Sequence, residues 1–157
     1  MAQAWLKPVT EFIREGFKGY SPTVEGFIAA KSYLLKNAFE GIAPDFKINP
    51  ALVKVSFGDV PLPKSIAAVA ISHNEIQFTW DREDIATKNN YDQAMLLAYD
   101  IEHSKIHKKL IGEFRKAGAD IVKLHNAKGN TYHLYMAFVA ADRNTQSDSV
   151  YLGTISM

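Results

Sequence analysis

The hydrophobic period of the chain changes at Leu52. Before it, apolar residues recur at steps of three and four, as they do along one face of an amphipathic helix. A first helix is expected to bury a stripe made of Trp5, Val9, Phe12, Ile13 and Phe17. Pro8 then falls near its first turn, where a missing N–H costs little, and Gly19 is expected to cap its end.

A second helix is predicted to follow, with Ser21 as its N-cap and Pro22 at its first helical position. Its expected apolar side contains Val24, Phe27, Ile28, Leu34, Leu35 and Phe39. Gly41 and Pro44 are expected to end it. Two helices with a short connection form a helical hairpin, which we assign to residues 1–44.

From Leu52 onward apolar and polar residues alternate, which is the period of a strand with one buried face. Strands are predicted at LVKVSF, AVAIS, EIQFTW, DIVKLH, TYHLYMAFVAAD and VYLGTI. KIHKKLIGEF fits a strand or a short helix, and QAMLLAYD is apolar on both faces, as a central strand covered on each side is. His73 and Asn74 are typical of a tight hairpin turn, with Asn74 at positive φ. Short strands at this spacing indicate an antiparallel sandwich.

These patterns predict an α+β fold, mainly β, in which the helical hairpin of residues 1–44 packs on an antiparallel β-sandwich of residues 45–157 as one structural unit. The order EIQFTWD, QAMLLAYD, DIVKLHN, NTYHLYMAFVAAD, SVYLGTI resembles strands B, C, E, F and G of an immunoglobulin- or fibronectin type III-like sandwich. The resemblance implies that Trp80 is the core tryptophan of strand B and that Tyr132 opens strand F. It implies little about function, because such sandwiches have many unrelated roles.

A second resemblance runs over nearly the whole chain. The segments LKPVTEFIREGFKGY, AAKSYLLKNAFEGIAPDFKINPALVKVSFGD, FTWD, DQAMLLAYD and SDSVYLGTISM resemble an uncharacterised family of Bacteroidetes proteins, a domain of unknown function. The SVYLG ending is its most recognisable feature. Members usually carry a further glycine-rich N-terminal segment, which is not in this sequence. The resemblance implies a family and no activity.

Composition narrows the function classes. The net charge is +1, with 18 basic and 17 acidic side chains, which gives no electrostatic basis for binding nucleic acid or an anionic membrane. The absence of cysteine excludes disulfides, cysteine-ligated metals and thiol nucleophiles. No stretch approaches about 18 apolar residues, so no membrane span is expected. The N-terminal residues do not have the pattern of a signal peptide, so the localisation is unknown and cytoplasmic by default.

Two polar clusters are candidates for metal chemistry. Glu102, His103 and His107 lie within six residues, and a four-residue spacing puts both histidines on one face of a helix or a strand, as a zinc site requires. The alternative is an edge strand whose lysines discourage pairing. A second cluster could surround calcium, although it does not match the EF-hand pattern and is more typical of a solvated loop. Its members are Asp81, Glu83, Asp84 and Asp92.

The sequence contains neither a GxSxG serine elbow nor a glycine-rich phosphate loop, and no cofactor is expected. We therefore expect a non-enzymatic interaction or structural module, with an unknown protein partner or a homodimer through a sheet edge or the helical hairpin. Tyr151 and Leu152 are candidate partner-binding residues, because they face opposite sides of the last strand. That strand is expected to pair with LVKVSF or with a second subunit. The alternatives are a small-molecule or glycan binder that uses Tyr and Trp faces and, third, a metal-dependent hydrolase.

Overall fold

The computed structural model describes residues 1–21, 23–83 and 86–157. Its helices are α1 (Ala2–Leu6), α2 (Thr10–Gly16) and α3 (Gly26–Asn37). Its strands are β1 (Phe39–Glu40), β2 (Lys47–Ile48), β3 (Ala67–Ser72), β4 (Glu75–Thr79), β5 (Gln93–Asp100), β6 (Lys105–Lys109), β7 (Ala119–Lys123), β8 (Thr131–Val139) and β9 (Val150–Ser156). These elements confirm the α+β class with mainly β structure.

The strands form a sandwich of two antiparallel sheets, and the helices add a third layer. One sheet has the order β3-β4-β7 and the other has the order β6-β5-β8-β9, while β1 and β2 make a small hairpin. The helical stripe packs on the outer face of the four-stranded sheet, in one core cluster with Met95, Leu97 and Tyr99 of β5. The opposite face of β5 packs against the three-stranded sheet. This confirms why QAMLLAYD is apolar on both faces: it is covered by helices on one side and by a sheet on the other.

The core between the sheets follows the alternation read from EIQFTW. Ile76, Phe78 and Trp80 are all buried. The Trp80 ring lies edge-on to Phe138 of β8, with 5.3 Å between ring centroids. Its Nε1 donates a hydrogen bond of 2.7 Å to the Arg115 carbonyl, so the one polar atom of the ring is satisfied. Trp80 therefore lies between the sheets, as predicted.

Polar contacts fasten the helical layer to the four-stranded sheet. The Tyr99 hydroxyl donates to the Trp5 carbonyl at 2.6 Å. Arg143, in the β8–β9 loop, donates to Glu15 of α2 at 3.0 Å and to Gln93 of β5 at 3.1 Å. Because these bonds join elements far apart in the chain, the helices have one fixed position on the sheet.

The helix boundaries differ from those predicted. Pro8 lies in a 3-10 turn, Lys7–Val9, that interrupts the first helical segment, since the helix begins at Ala2 and the missing N–H falls in its middle. Ser21 accepts hydrogen bonds from the backbone of Thr23 and Val24, so it caps a turn ahead of α3 and not the helix itself. Gly19 is not at positive φ, and Gly41 lies beyond the helix in the β1–β2 hairpin. Pro22 is outside the described residues.

The buried face of α3 also differs from the prediction. Ala29, Ala30 and Leu34 face the core, while Ile28 and Leu35 are 57% and 46% exposed. The helix contacts α1 and α2, and its alanines lie on the buried face, where small side chains permit helices to pack together.

The structure decides three predictions about the strands and their turns. LVKVSF forms no ladder within the described residues: Leu52 ends a 3-10 turn, Pro50–Leu52, and Val55 and Ser56 are both buried. The Ser56 carbonyl accepts from the backbone N–H of Ser149 at 2.9 Å. The His73–Asn74 turn is present, but Asn74 is not at positive φ. KIHKK is a strand and not a helix.

Candidate functional site

The two sheets leave four strand edges, which meet in pairs along the two long sides of the sandwich. β6 and β9 are the outer strands of one sheet, and β3 and β7 are the outer strands of the other. β6 contacts β7 on one side, and β3 contacts β9 on the other. An open strand edge presents unpaired N–H and C=O groups, so these two seams are where another chain would add a strand.

The seam between β6 and β7, here called the charged seam, is closed by side chains. Lys109 Nζ lies 2.6 Å from Asp120 Oδ1 and also donates to the Ile121 carbonyl at 3.2 Å. Lys105 Nζ donates to the Asn126 carbonyl at 2.7 Å. The alternative interpretation of KIHKKL as an edge-like segment agrees with the position of β6 at the end of its sheet, although the residues of β6 are half-buried and not exposed. Lysines in an edge strand oppose strand addition.

The seam between β3 and β9, here called the uncharged seam, has no lysine in either strand, although the β3–β4 ladder shifts register between Ala70 and Ser72 and the β8–β9 ladder shifts between His133 and Tyr135. β3 reads AAVAIS and β9 reads VYLGTIS, and neither contains a charged residue or a proline. In β3 the side chains of Val69 and Ile71 are 54% and 46% exposed, although both are β-branched and apolar. Among the described residues β3 pairs only with β4, so its other edge, on the side where β3 contacts β9, has no ladder partner.

The final strand, β9, is engaged within the chain through both faces. Tyr151 packs on Tyr135 in the helix-covered core, and its hydroxyl lies 2.8 Å from His133 Nδ1. Leu152 packs against the core between the sheets. The predicted in-chain pairing of this strand with LVKVSF is wrong: in the described chain, β9 has only β8 as a ladder partner. Tyr151 and Leu152 remain predicted partner residues, with their backbone and not their side chains at the open edge.

The histidine cluster does not form one face. The chain turns at residues 101–104, with Ser104 at positive φ, so the strand geometry that would align His103 with His107 is interrupted between them. His103 Nδ1 lies 2.7 Å from Asp100 Oδ2, and this contact raises the pKa of His103. His107 lies on β6, where burial, together with the charges of Lys105 and His125, lowers its pKa. Glu102 lies exposed in the turn.

The acidic cluster is likewise divided. Asp81 accepts a hydrogen bond from the Glu83 backbone at 2.8 Å, as in a polar loop. Asp92 is buried beside Arg115, 3.7 Å away, and accepts from Asn89 at 2.9 Å. Burial raises the pKa of Asp92, and the Asn89 bond and the Arg115 charge oppose that rise. Asp84 lies outside the described residues. Within the described residues, no group of three or more acidic or histidine side chains is arranged to hold a metal ion.

The tryptophan faces that a glycan site would use are enclosed. Trp5 is 7% exposed and lies edge-on to Tyr99, with 4.9 Å between centroids. Trp80 is 5% exposed in the other core. Neither ring offers a face to a sugar.

Reasoning from the sequence missed the open edge of β3. AVAIS was recognised as a strand, but which strands end at the sheet edges depends on pairing between distant segments. The absence of any charge in SIAAVAIS is the signal that would have identified it, because exposed edge strands usually carry lysine or proline.

Comparison with known proteins identifies the family of this chain. A family model described as "Family of unknown function (DUF6266)" matches residues 1–153. No curated protein matches the chain. In the described parts of the chain, every helix is too short or too polar to cross a membrane.

Proposed function

Since the chain belongs to the family of unknown function DUF6266, which has no assigned activity, we propose its function from the geometry of the described residues. It is a non-enzymatic structural module that joins a second copy of the same chain by strand addition at the edge of β3. The observation that carries this proposal is the contrast between the two seams: one is closed by lysine and aspartate, and the other is uncharged and open.

The choice of a second copy as the occupant follows from charge. In a two-fold antiparallel pairing of β3 with itself, every residue opposite another is uncharged in any register, so no like charges meet. The pairing would extend the three-stranded sheet to six strands, β7-β4-β3 followed by the same three strands of the partner.

The fold supports a scaffold role. The strand order β3-β4-β7 and β6-β5-β8-β9 supports interpreting residues 66–157 as fibronectin type III-like, with EIQFTW as strand B and VYLGTI as strand G. Sandwiches of this kind often present edges or loops to partners. Two buried carboxylates are engaged in ion pairs within the fold, Asp100 with His103 and Asp120 with Lys109, which supports a structural role for these groups.

Sedimentation velocity over about 1 to 300 µM protein tests the proposal, a range that covers the affinities of modest interfaces. We expect the wild-type chain to form a dimer and Val69→Lys to remain a monomer, because the variant places a lysine from each copy near the two-fold axis. Ile111→Lys is the matched control: Ile111 is 68% exposed but follows β6 at the opposite seam, so this variant should still dimerise.

Urea denaturation of both variants checks that the fold is intact, with changes in unfolding free energy within about 0.5 kcal/mol expected for surface sites. A wild-type chain that stays monomeric over the whole range would overturn the proposal. Equal loss of dimer in both variants would show that the interface lies elsewhere.

A further inference from the structure

Three aromatic rings, here called the aromatic line, connect the helical layer to the last strand through the helix-covered core. Trp5 of α1 lies edge-on to Tyr135 of β8, with 6.3 Å between ring centroids. Tyr135 lies beside Tyr151 of β9, with 5.2 Å between centroids. Trp5 and Tyr135 are buried, whereas Tyr151 is half-buried. In a chain without cysteine, indole and phenol rings give up one electron most readily, so the line joins oxidisable groups.

The hydroxyl of Tyr151 has a different kind of partner from the hydroxyl of Tyr135. Tyr135 donates to the Pro50 carbonyl at 2.6 Å. A backbone carbonyl accepts a hydrogen bond but does not take up the proton near neutral pH. The Tyr151 hydroxyl oxygen lies 2.8 Å from His133 Nδ1, and imidazole is the side chain that gains and loses a proton in this pH range. Tyr151 is therefore bonded to a base.

This difference decides where an oxidised ring is stable. A phenol that loses an electron becomes a strong acid, and if its proton stays, a positive charge is left on the ring. At Tyr135, which is 0% exposed, that charge would be buried without a counter-charge, which is costly. At Tyr151 the proton can cross to His133, so the ring becomes a neutral phenoxyl radical. The charge then lies on a half-buried imidazolium that water reaches.

The surroundings of His133 favour this proton transfer. Burial lowers the pKa of His133, and the negative charge of Asp100 opposes that fall, so the imidazole is neutral near pH 7 and able to accept. In the tautomer that has its proton on Nε2, Nδ1 is the acceptor facing Tyr151. Asp100 is 1% exposed, and a buried carboxylate nearby stabilises the imidazolium once it forms.

We propose that Tyr151 and His133 are a proton-coupled redox pair, and that one-electron oxidation of the folded chain is localised on Tyr151. A diffusible one-electron oxidant takes the electron, from Tyr151 directly or from Trp5 by way of Tyr135. The O–H bond of Tyr151 breaks and an N–H bond forms at His133 Nδ1. The products are a neutral phenoxyl radical, an imidazolium and the reduced oxidant. This activity is separate from strand addition at the edge of β3.

Flash oxidation with photogenerated ruthenium(III) tris-bipyridine, followed by freeze-quench electron paramagnetic resonance, tests the proposal. The wild-type chain should give a tyrosyl radical spectrum, and Tyr151→Phe should lose most of that signal. Tyr91→Phe is the matched control, because Tyr91 is 52% exposed and an oxidant in solution meets it first. If exposure alone selected the oxidised ring, the Tyr91 variant would lose the signal and the Tyr151 variant would keep it, which would overturn the proposal.

His133→Gln separates proton transfer from packing, because glutamine still accepts a hydrogen bond but is not a base. The tyrosyl radical should form at least about tenfold more slowly in this variant, since a positioned proton acceptor contributes about 10²–10⁴-fold to such steps. Formation in the wild-type chain should also be slower in D₂O than in H₂O. Urea denaturation checks that the variants are folded. No tyrosyl signal in the wild type, an unchanged rate in His133→Gln, or equal rates in the two solvents would each overturn the proposal.

Discussion

Replacing Trp80 with alanine removes a buried ring that packs between the two sheets. The side chain is 95% enclosed, since only 5% of the residue is exposed, and truncation of buried tryptophan costs about 3–5 kcal/mol. Two further losses follow. The edge-on contact with Phe138 at 5.3 Å is worth about 0.5–1.5 kcal/mol. The Nε1 bond to the Arg115 carbonyl is also lost, although this carbonyl still accepts from the Gly118 N–H at 3.3 Å. The variant should therefore lose about 4–5 kcal/mol of unfolding free energy, near the upper end of that range.

Urea denaturation monitored by the fluorescence of Trp5, which stays in the helix-covered core, measures this loss. Trp80→Phe keeps a ring but gives up the hydrogen bond, so it should lose about half as much and remain folded if the alanine variant does not. Tyr91→Ala is the control for an aromatic truncation at the surface, because Tyr91 is 52% exposed, and it should cost less than about 1 kcal/mol. A loss below about 1 kcal/mol for Trp80→Ala would refute its placement between the sheets.

Three further predictions concern the helical layer and one histidine. Arg143→Ala should lower the unfolding free energy by about 2–3 kcal/mol in urea denaturation, because it breaks three hydrogen bonds at the helix–sheet junction. Arg14→Ala breaks only an exposed ion pair and should lower it by less than about 1 kcal/mol. Equal losses in the two variants would contradict this prediction. Asp100 raises the pKa of His103 above 6.5. The stabilisation from this pair is therefore present below about pH 6.5 and is lost as the pH rises through the folded-state pKa. His103→Gln should remove this pH dependence of the unfolding free energy, and an unchanged pH profile would count against the prediction. Deleting residues 1–40 exposes the apolar face of the four-stranded sheet and should cause association or unfolding in light scattering, whereas an unchanged monomer with an unchanged melting temperature would show that the helices are independent.

The local periods could be read from the sequence, because burial on one face fixes which residues are apolar. EIQFTW and QAMLLAYD have the burial expected of them, and the first helical stripe is fully in the core. The parts that could not be predicted depend on contacts between distant segments. LVKVSF alternates in sequence but has no ladder partner among the described residues, and α3 buries Ala29, Ala30 and Leu34 while Ile28 and Leu35 are exposed. The open edge of β3 is of the same kind, since only the sheet order identifies it.

Hydrogen exchange measured at two protein concentrations tests the role of the uncharged seam most directly. The amides of β3 that point away from β4 are open in a monomer and paired in the proposed dimer, while β6 is an edge strand in both states. At a concentration where about 90% of the chains are paired, these β3 amides should exchange about tenfold more slowly than in dilute protein. Exchange in Lys105–Lys109 should not change. Equal rates in β3 at both concentrations, or slowing confined to β6, would contradict strand addition at β3.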